Sequence, residues 1–158
     1  MEVRVPRTQS ILAALAAVLA LALIAAVAVK LRPATEPAAT VAAPACDLQR
    51  GPCAASLPGG GRIEFAITPR PIPVLQPLQL QARLDGIAAR VVIVEFTGAD
   101  MDMGINRVAM KAEGSSRFSG SAMLPVCVRN RMAWLATVRL QTNRGQIAVP
   151  FRFETVRN

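Results

Sequence analysis

The chain has 158 residues, 53% of them apolar, with 18 basic and 10 acidic side chains, no histidine and no tyrosine. That length allows one ordinary domain plus appendages. The missing histidine removes the usual ligand of zinc and cupric copper, and the scattered arginines and few aromatics argue against a nucleic-acid partner.

Residues 1–10 contain Arg4 and Arg7 and read as a cytoplasmic N-terminus. Ile11 to Val29 is an uncharged run of Ile, Leu, Val and Ala. As a helix rising about 1.5 Å per residue it spans about 28 Å, enough for a bilayer core. The run is longer than the apolar core of a signal peptide, and Lys30 and Arg32 follow it where a stop-transfer boundary belongs. Both features favour a retained, single-pass anchor in the inner membrane over residues 11–29. A cleaved signal peptide is the competing reading, because small residues suited to cleavage abound. Either reading exports the remainder to the periplasm.

Residues 30–45 read as a spacer. Pro33 to Ala45 holds three prolines and six alanines with one charge, Glu36, a composition that stays extended and semi-rigid. Residues 46–158 form the exported domain, with 14 basic and 8 acidic side chains. Such a face can lean on anionic lipid or an acidic partner, or can simply be solvated charge.

Cys46 and Cys53 flank Asp47-Leu-Gln-Arg-Gly-Pro52, whose Gly-Pro is a turn signal. In an oxidising compartment a local disulfide is the natural reading, worth about 2.5 kcal/mol for an eight-residue loop. A pairing of Cys53 with Cys127 stays open, since residues 54–61 can stretch about 26 Å.

From Arg62 onward the apolar residues alternate, the signature of half-buried strands. Ile63, Phe65 and Ile67 mark the first strand, and Leu78, Leu80, Ala82 and Leu84 the second. Val91 to Phe96, apolar except for Glu95, is the third and reads as central. Arg107 to Lys111 is a short fourth and Arg117 to Leu124 the fifth. Met132, Trp134, Ala136, Val138 and Leu140 give the sixth; Ile147, Val149, Phe151 and Phe153 give the seventh. About seven short strands, with no helical period after residue 30, imply an all-β, immunoglobulin-like antiparallel β-sandwich preceded by one transmembrane helix.

Strand parity then gathers three loops, 69–77, 97–106 and 125–131, at one end. Met101, Met103, Met123, Cys127 and Met132 belong to that end, and Cys46 and Cys53 are expected nearer the other. Met101 and Met103 lie in a polar loop where packing alone seldom asks for methionine. Thioether and thiolate select cuprous copper, so Met101, Met103, Cys127 and Met132 are the candidate ligands for Cu(I), with Met123 a weaker fifth. The same atoms serve equally as an apolar contact for a partner or as plain packing, and Asp100 and Asp102 weaken the copper reading, because carboxylates prefer hard ions. Serines have no histidine to activate them, acidic residues are scattered, and Pro58-Gly-Gly-Gly61 has no following helix to make a phosphate site. The chain therefore reads as non-enzymatic, without a small-molecule substrate.

Gly98-Ala-Asp-Met-Asp-Met-Gly-Ile-Asn-Arg107, Arg117-Phe-Ser-Gly120, Leu124-Pro-Val-Cys127 and Met132-Ala-Trp134 resemble the FixH and YtkA-like group of bacterial exported domains. The resemblance covers roughly residues 62 to 156. It implies an N-terminal anchor, an immunoglobulin-like sandwich and a role in copper handling or haem-copper oxidase assembly, beside an assembly protein or copper chaperone. Of the site residues it carries across only Met101, Met103 and Cys127. Two features depart from the group: the aromatic-rich segment near the anchor is missing, and the Cys46–Cys53 element has no counterpart. The alternative function is an adaptor module that binds a membrane protein and no metal.

Overall fold

The computed structural model describes residues 15–23, 39–126 and 128–157. The chain divides into two units, Met1–Thr35 and Glu36–Asn158. In the first, residues 15–23 form helix α1, whose Leu15, Val18, Leu19, Leu21 and Leu23 are all exposed. The remainder of the expected anchor, 11–14 and 24–29, lies outside the described residues, as do 1–10 and the first part of the spacer. Among the described residues no helix is long and apolar enough to cross a membrane.

The second unit is all β. Its strands are β1 (Ala39–Thr40), β2 (Cys53–Ser56), β3 (Arg62–Thr68), β4 (Pro77–Asp85), β5 (Ala89–Gly98), β6 (Asn106–Ala109), β7 (Lys111–Ala112), β8 (Arg117–Met123), β9 (Arg131–Thr142) and β10 (Gly145–Val156). Two five-stranded sheets result, ordered β1-β10-β9-β5-β6 and β2-β3-β4-β8-β7. Every pairing is antiparallel except β1 with β10. The seven alternating segments are all strands, β3, β4, β5, β6, β8, β9 and β10; β1, β2 and β7 are the additions.

Period two decides which side chains face inward. In β4, Leu78, Leu80, Ala82 and Leu84 are buried while the residues between them are exposed. In β9, Met132, Trp134, Ala136, Val138 and Leu140 are buried in the same alternation. Phe65 meets Phe151 across the two sheets at 5.5 Å between ring centres, and within one sheet Phe153 stacks on its cross-strand neighbour Trp134 at 6.4 Å. Each fully buried large side chain contributes about 1.5–3 kcal/mol of transfer free energy. The Trp134 indole N–H donates to Thr155 Oγ1 at 2.9 Å, which lets both polar groups sit in the core.

The expected fourth strand instead changes sheets. Residues 106–109 pair with β5, then Met110 turns inward over Gly120, and 111–112 pair with β8. A Cβ at Gly120 would lie 2.8 Å from Met110 Sδ, so the absent side chain makes room for the thioether that closes this corner. At the opposite edge, Val41 N–H donates to the Ala148 carbonyl, so Ala148 turns its backbone polar groups to that edge. Pro150, two residues on, presents a nitrogen with no hydrogen there, and the ladder stops.

The Cys46–Cys53 disulfide is formed, with its Cα atoms 5.9 Å apart. Its position corrects the expectation from parity: it lies at the same end as the methionine loop. The cause is β2, a strand too short and alanine-rich to read from alternation. Antiparallel pairing of Cys53 with Phe65 and of Ser56 with Arg62 makes β2 start towards the far end of β3. The chain enters at Ala39 beside Ile147, near the start of β10, and reaches the other end by residue 46.

Candidate functional site

Three hydrogen bonds assemble the methionine end, two between backbone groups and one from a side chain to a backbone carbonyl. Leu75 N–H donates to the Leu124 carbonyl at 2.9 Å, which joins the 69–76 connection to the segment after β8. Asn106 Nδ2 donates to the Met123 carbonyl at 2.8 Å, and Ala99 N–H donates to the Ala133 carbonyl at 2.9 Å. Topology thus unites segments far apart in sequence, as parity requires.

The loop 99–105 turns where Asp102 Oδ1 accepts the Gly104 N–H at 2.9 Å and Gly104 adopts φ 71°. An Asp side chain satisfies the local backbone and glycine takes the left-handed conformation. Met101 and Met103 are half-buried against the core rather than projecting as free thioethers. Met132 is only 4% exposed, because it is the first inward residue of β9. A Cβ built at Gly98 would fall 2.3 Å from the Met101 carbonyl oxygen and 2.7 Å from Met132 Cε. Gly98 therefore lets the loop backbone and the Met132 side chain meet over the end of β5. Met123 is 50% exposed at the end of β8. Cys127 lies outside the described residues.

Around these methionines stands a ring of exposed aliphatic side chains that strand periodicity does not reveal, because most of its members occupy loops. Among the described residues of the sandwich, seven large apolar side chains are exposed; six of them, Leu75, Ile105, Met123, Val126, Val128 and Val156, belong to this end. Val128 is the most exposed, at 86%. Val126 and Val128 flank Cys127 outside any strand, the one sequence signal from which the ring is legible. Clustered exposed apolar surface of this kind marks an interaction site.

The disulfide segment braces the same end. Leu48 is fully buried, the Ile72 N–H donates to Gln49 Oε1 at 2.8 Å, and Gln49 Nε2 donates to the Glu154 carbonyl. One side chain thus ties β10 to the β3–β4 connection. A cleft of about 270 Å³ lies beside it, lined by Cys46, Asp47, Ala99, Trp134, Arg152 and Glu154.

Behind the methionine loop, on the outer face of its sheet, Glu95 is nearly buried under two arginines. Arg107 Nη2 lies 2.6 Å from Glu95 Oε1, and Arg139 Nε donates to Oε2. Burial pushes the Glu95 carboxyl up, but the hydrogen bonds and charges of Arg139 and Arg107 outweigh it and hold the group below its ordinary range. Among the described residues no three His, Cys, Asp or Glu side chains gather as a metal site.

Fold and site together define an all-β, two-sheet domain with an apolar, methionine-bearing end. No family model, no curated protein and no solved structure matches the chain. The FixH and YtkA-like resemblance accordingly rests on the motifs quoted above.

Proposed function

We propose that this chain is a single-pass inner-membrane protein, held by residues 11–29, whose periplasmic immunoglobulin-like sandwich is a non-enzymatic docking module. Its methionine end contacts a membrane protein during assembly of haem-copper oxidases. The carrying observation is the concentration of exposed aliphatic side chains at that end, six of the seven on the sandwich. The all-apolar exposed helix 15–23, inside an uncharged run of bilayer length, supports the anchor. Affinity purification from membranes tests the reading. Ile105→Asp with Val128→Asp is expected to abolish co-purification of oxidase subunits while leaving the melting temperature unchanged. Undiminished recovery refutes it.

A second reading is favoured by one geometric fact: the backbone of Met101 and the Met132 side chain both close on Gly98, so the methionine loop and Met132 lie at one place. On it, Met101, Met103 and Met132, with Cys127, hold Cu(I) as cargo, since thioether and thiolate are soft donors. Competition between the reduced protein and a cuprous chelator tests this. Binding that survives Met101→Ser with Met103→Ser, or no tight binding at all, refutes it.

A further inference from the structure

The charges around the aliphatic ring are unevenly committed. Arg131 Nη1 lies 3.0 Å from Glu154 Oε2, and Arg157 Nη2 donates to Asn130 Oδ1 at 2.9 Å. Asp102 accepts the Gly104 N–H, and Asp100, beside it, is exposed. Arg70 and Arg129 are exposed and form no ion pair among the described residues. They stand on the two connections that carry Leu75, Val126 and Val128, so one flank of the ring is basic while the methionine loop makes the other flank acidic.

We propose that the surface seated on this end belongs to a protein whose apolar centre covers the ring and whose carboxylates meet Arg70 and Arg129. The proposal rests on the docking reading above and names the chemistry of its partner. Whatever covers Leu75, Val126 and Val128 also strips water from the neighbouring guanidiniums. That loss is offset when planar carboxylates replace the water through paired N–H donors. A bilayer is the poorer occupant: interfacial anchoring draws on Trp and Tyr, whereas this chain has no tyrosine and its single tryptophan, Trp134, is buried in the core. A second copy meeting this one end to end is also poorer, because of the carboxylates at that end Glu154 is paired with Arg131, Asp47 with Arg50 and Asp102 is engaged with Gly104, which leaves Asp100.

The test uses the full chain in its membrane, with a photoreactive benzoylphenylalanine in place of Val128. The expected result is a discrete adduct with another protein. Its yield falls at least about tenfold in Arg70→Glu with Arg129→Glu and falls likewise as salt is raised, because rim charges act through steering that salt screens. Lysines substituted for the carboxylates mapped in the adduct restore the yield in the charge-reversed chain. Both arginines are exposed and form no ion pair among the described residues, so their reversal is expected to leave the melting curve unchanged, which shows that the variant folds. No adduct at all removes the docking reading together with this proposal. A protein adduct indifferent to charge reversal and salt overturns the acidic partner and leaves docking standing. A chain-to-chain adduct, or charge-dependent binding to phosphatidylglycerol vesicles, overturns it in favour of a second copy or a bilayer.

Discussion

Gly98→Ala probes how the methionine loop is seated, and Gly120→Ala supplies its control. At Gly98 the new methyl would lie 2.3 Å from a backbone oxygen, that of Met101, and 2.7 Å from the tip of Met132. Real contacts of this kind fall beyond 3 Å, so the loop backbone must shift by close to an ångström. Overpacking that displaces backbone costs about 2–3 kcal/mol, which for a domain of this size lowers the melting temperature by roughly 10 °C. At Gly120 the nearest atom is Met110 Sδ at 2.8 Å, the far part of a flexible side chain that can rotate, so the cost is about 1 kcal/mol or less. Neither glycine has a left-handed backbone, and the entropic gain from alanine is common to both, so the difference between the variants reports space alone. Met132→Ala relieves only the smaller clash and itself empties a core position at about 2–5 kcal/mol, so the double variant is expected to lose somewhat less than the sum of the two single losses. Thermal unfolding by circular dichroism measures all the variants. A Gly98→Ala protein melting within about 2 °C of wild type, or no lower than Gly120→Ala, would refute the proposed seating.

Glu95→Gln is expected to weaken the fold near neutral pH and to flatten its acid sensitivity. The folded carboxyl sits below its ordinary range, so its contribution is complete above the unfolded glutamate range and is lost as pH falls through the folded value. Urea midpoints between pH 7 and 3 read this out, and identical pH slopes for wild type and variant would show that Glu95 is not the group. Cys46→Ala with Cys53→Ala should cost about 2.5 kcal/mol and speed hydrogen exchange at the Ile72 amide, whose acceptor is Gln49 inside the clipped loop. Unchanged protection at Ile72 would mean that the disulfide does not hold this latch.

Much of the sandwich was legible because alternation is a local property. Leu78 to Leu84 and Met132 to Leu140 announce their inward faces within nine residues each, whatever they pack against. The Cys46–Cys53 bond was legible too, since a short loop with a Gly-Pro turn brings the two cysteines together without help from the fold. β2 was not, because Cys53-Ala-Ala-Ser56 has no alternating pattern of large side chains and becomes a strand only by pairing with β3. Missing that one strand placed the disulfide at the wrong end. Nothing in the alternation of 107–111 tells that Met110 marks a switch between sheets, because the sheet that 111–112 joins is set by β8, and the Met110 thioether rests over Gly120 of that strand. Glu95 stood out in an apolar run, yet Arg107 and Arg139 are 12 and 44 residues away from it, and nothing local pairs them.

Residue order alone determined the apolar run 11–29, the seven alternating strands, the local disulfide and the poverty of catalytic groups, all of which depend on composition or near-neighbour spacing. Tertiary structure decided that Gly98 is where the methionine loop closes down on the Met132 side chain, and that exposed aliphatic side chains from three loops and the end of β10 gather at one end. These facts are created by segments tens of residues apart meeting at the end of two sheets, and no pattern within any one of them encodes the meeting.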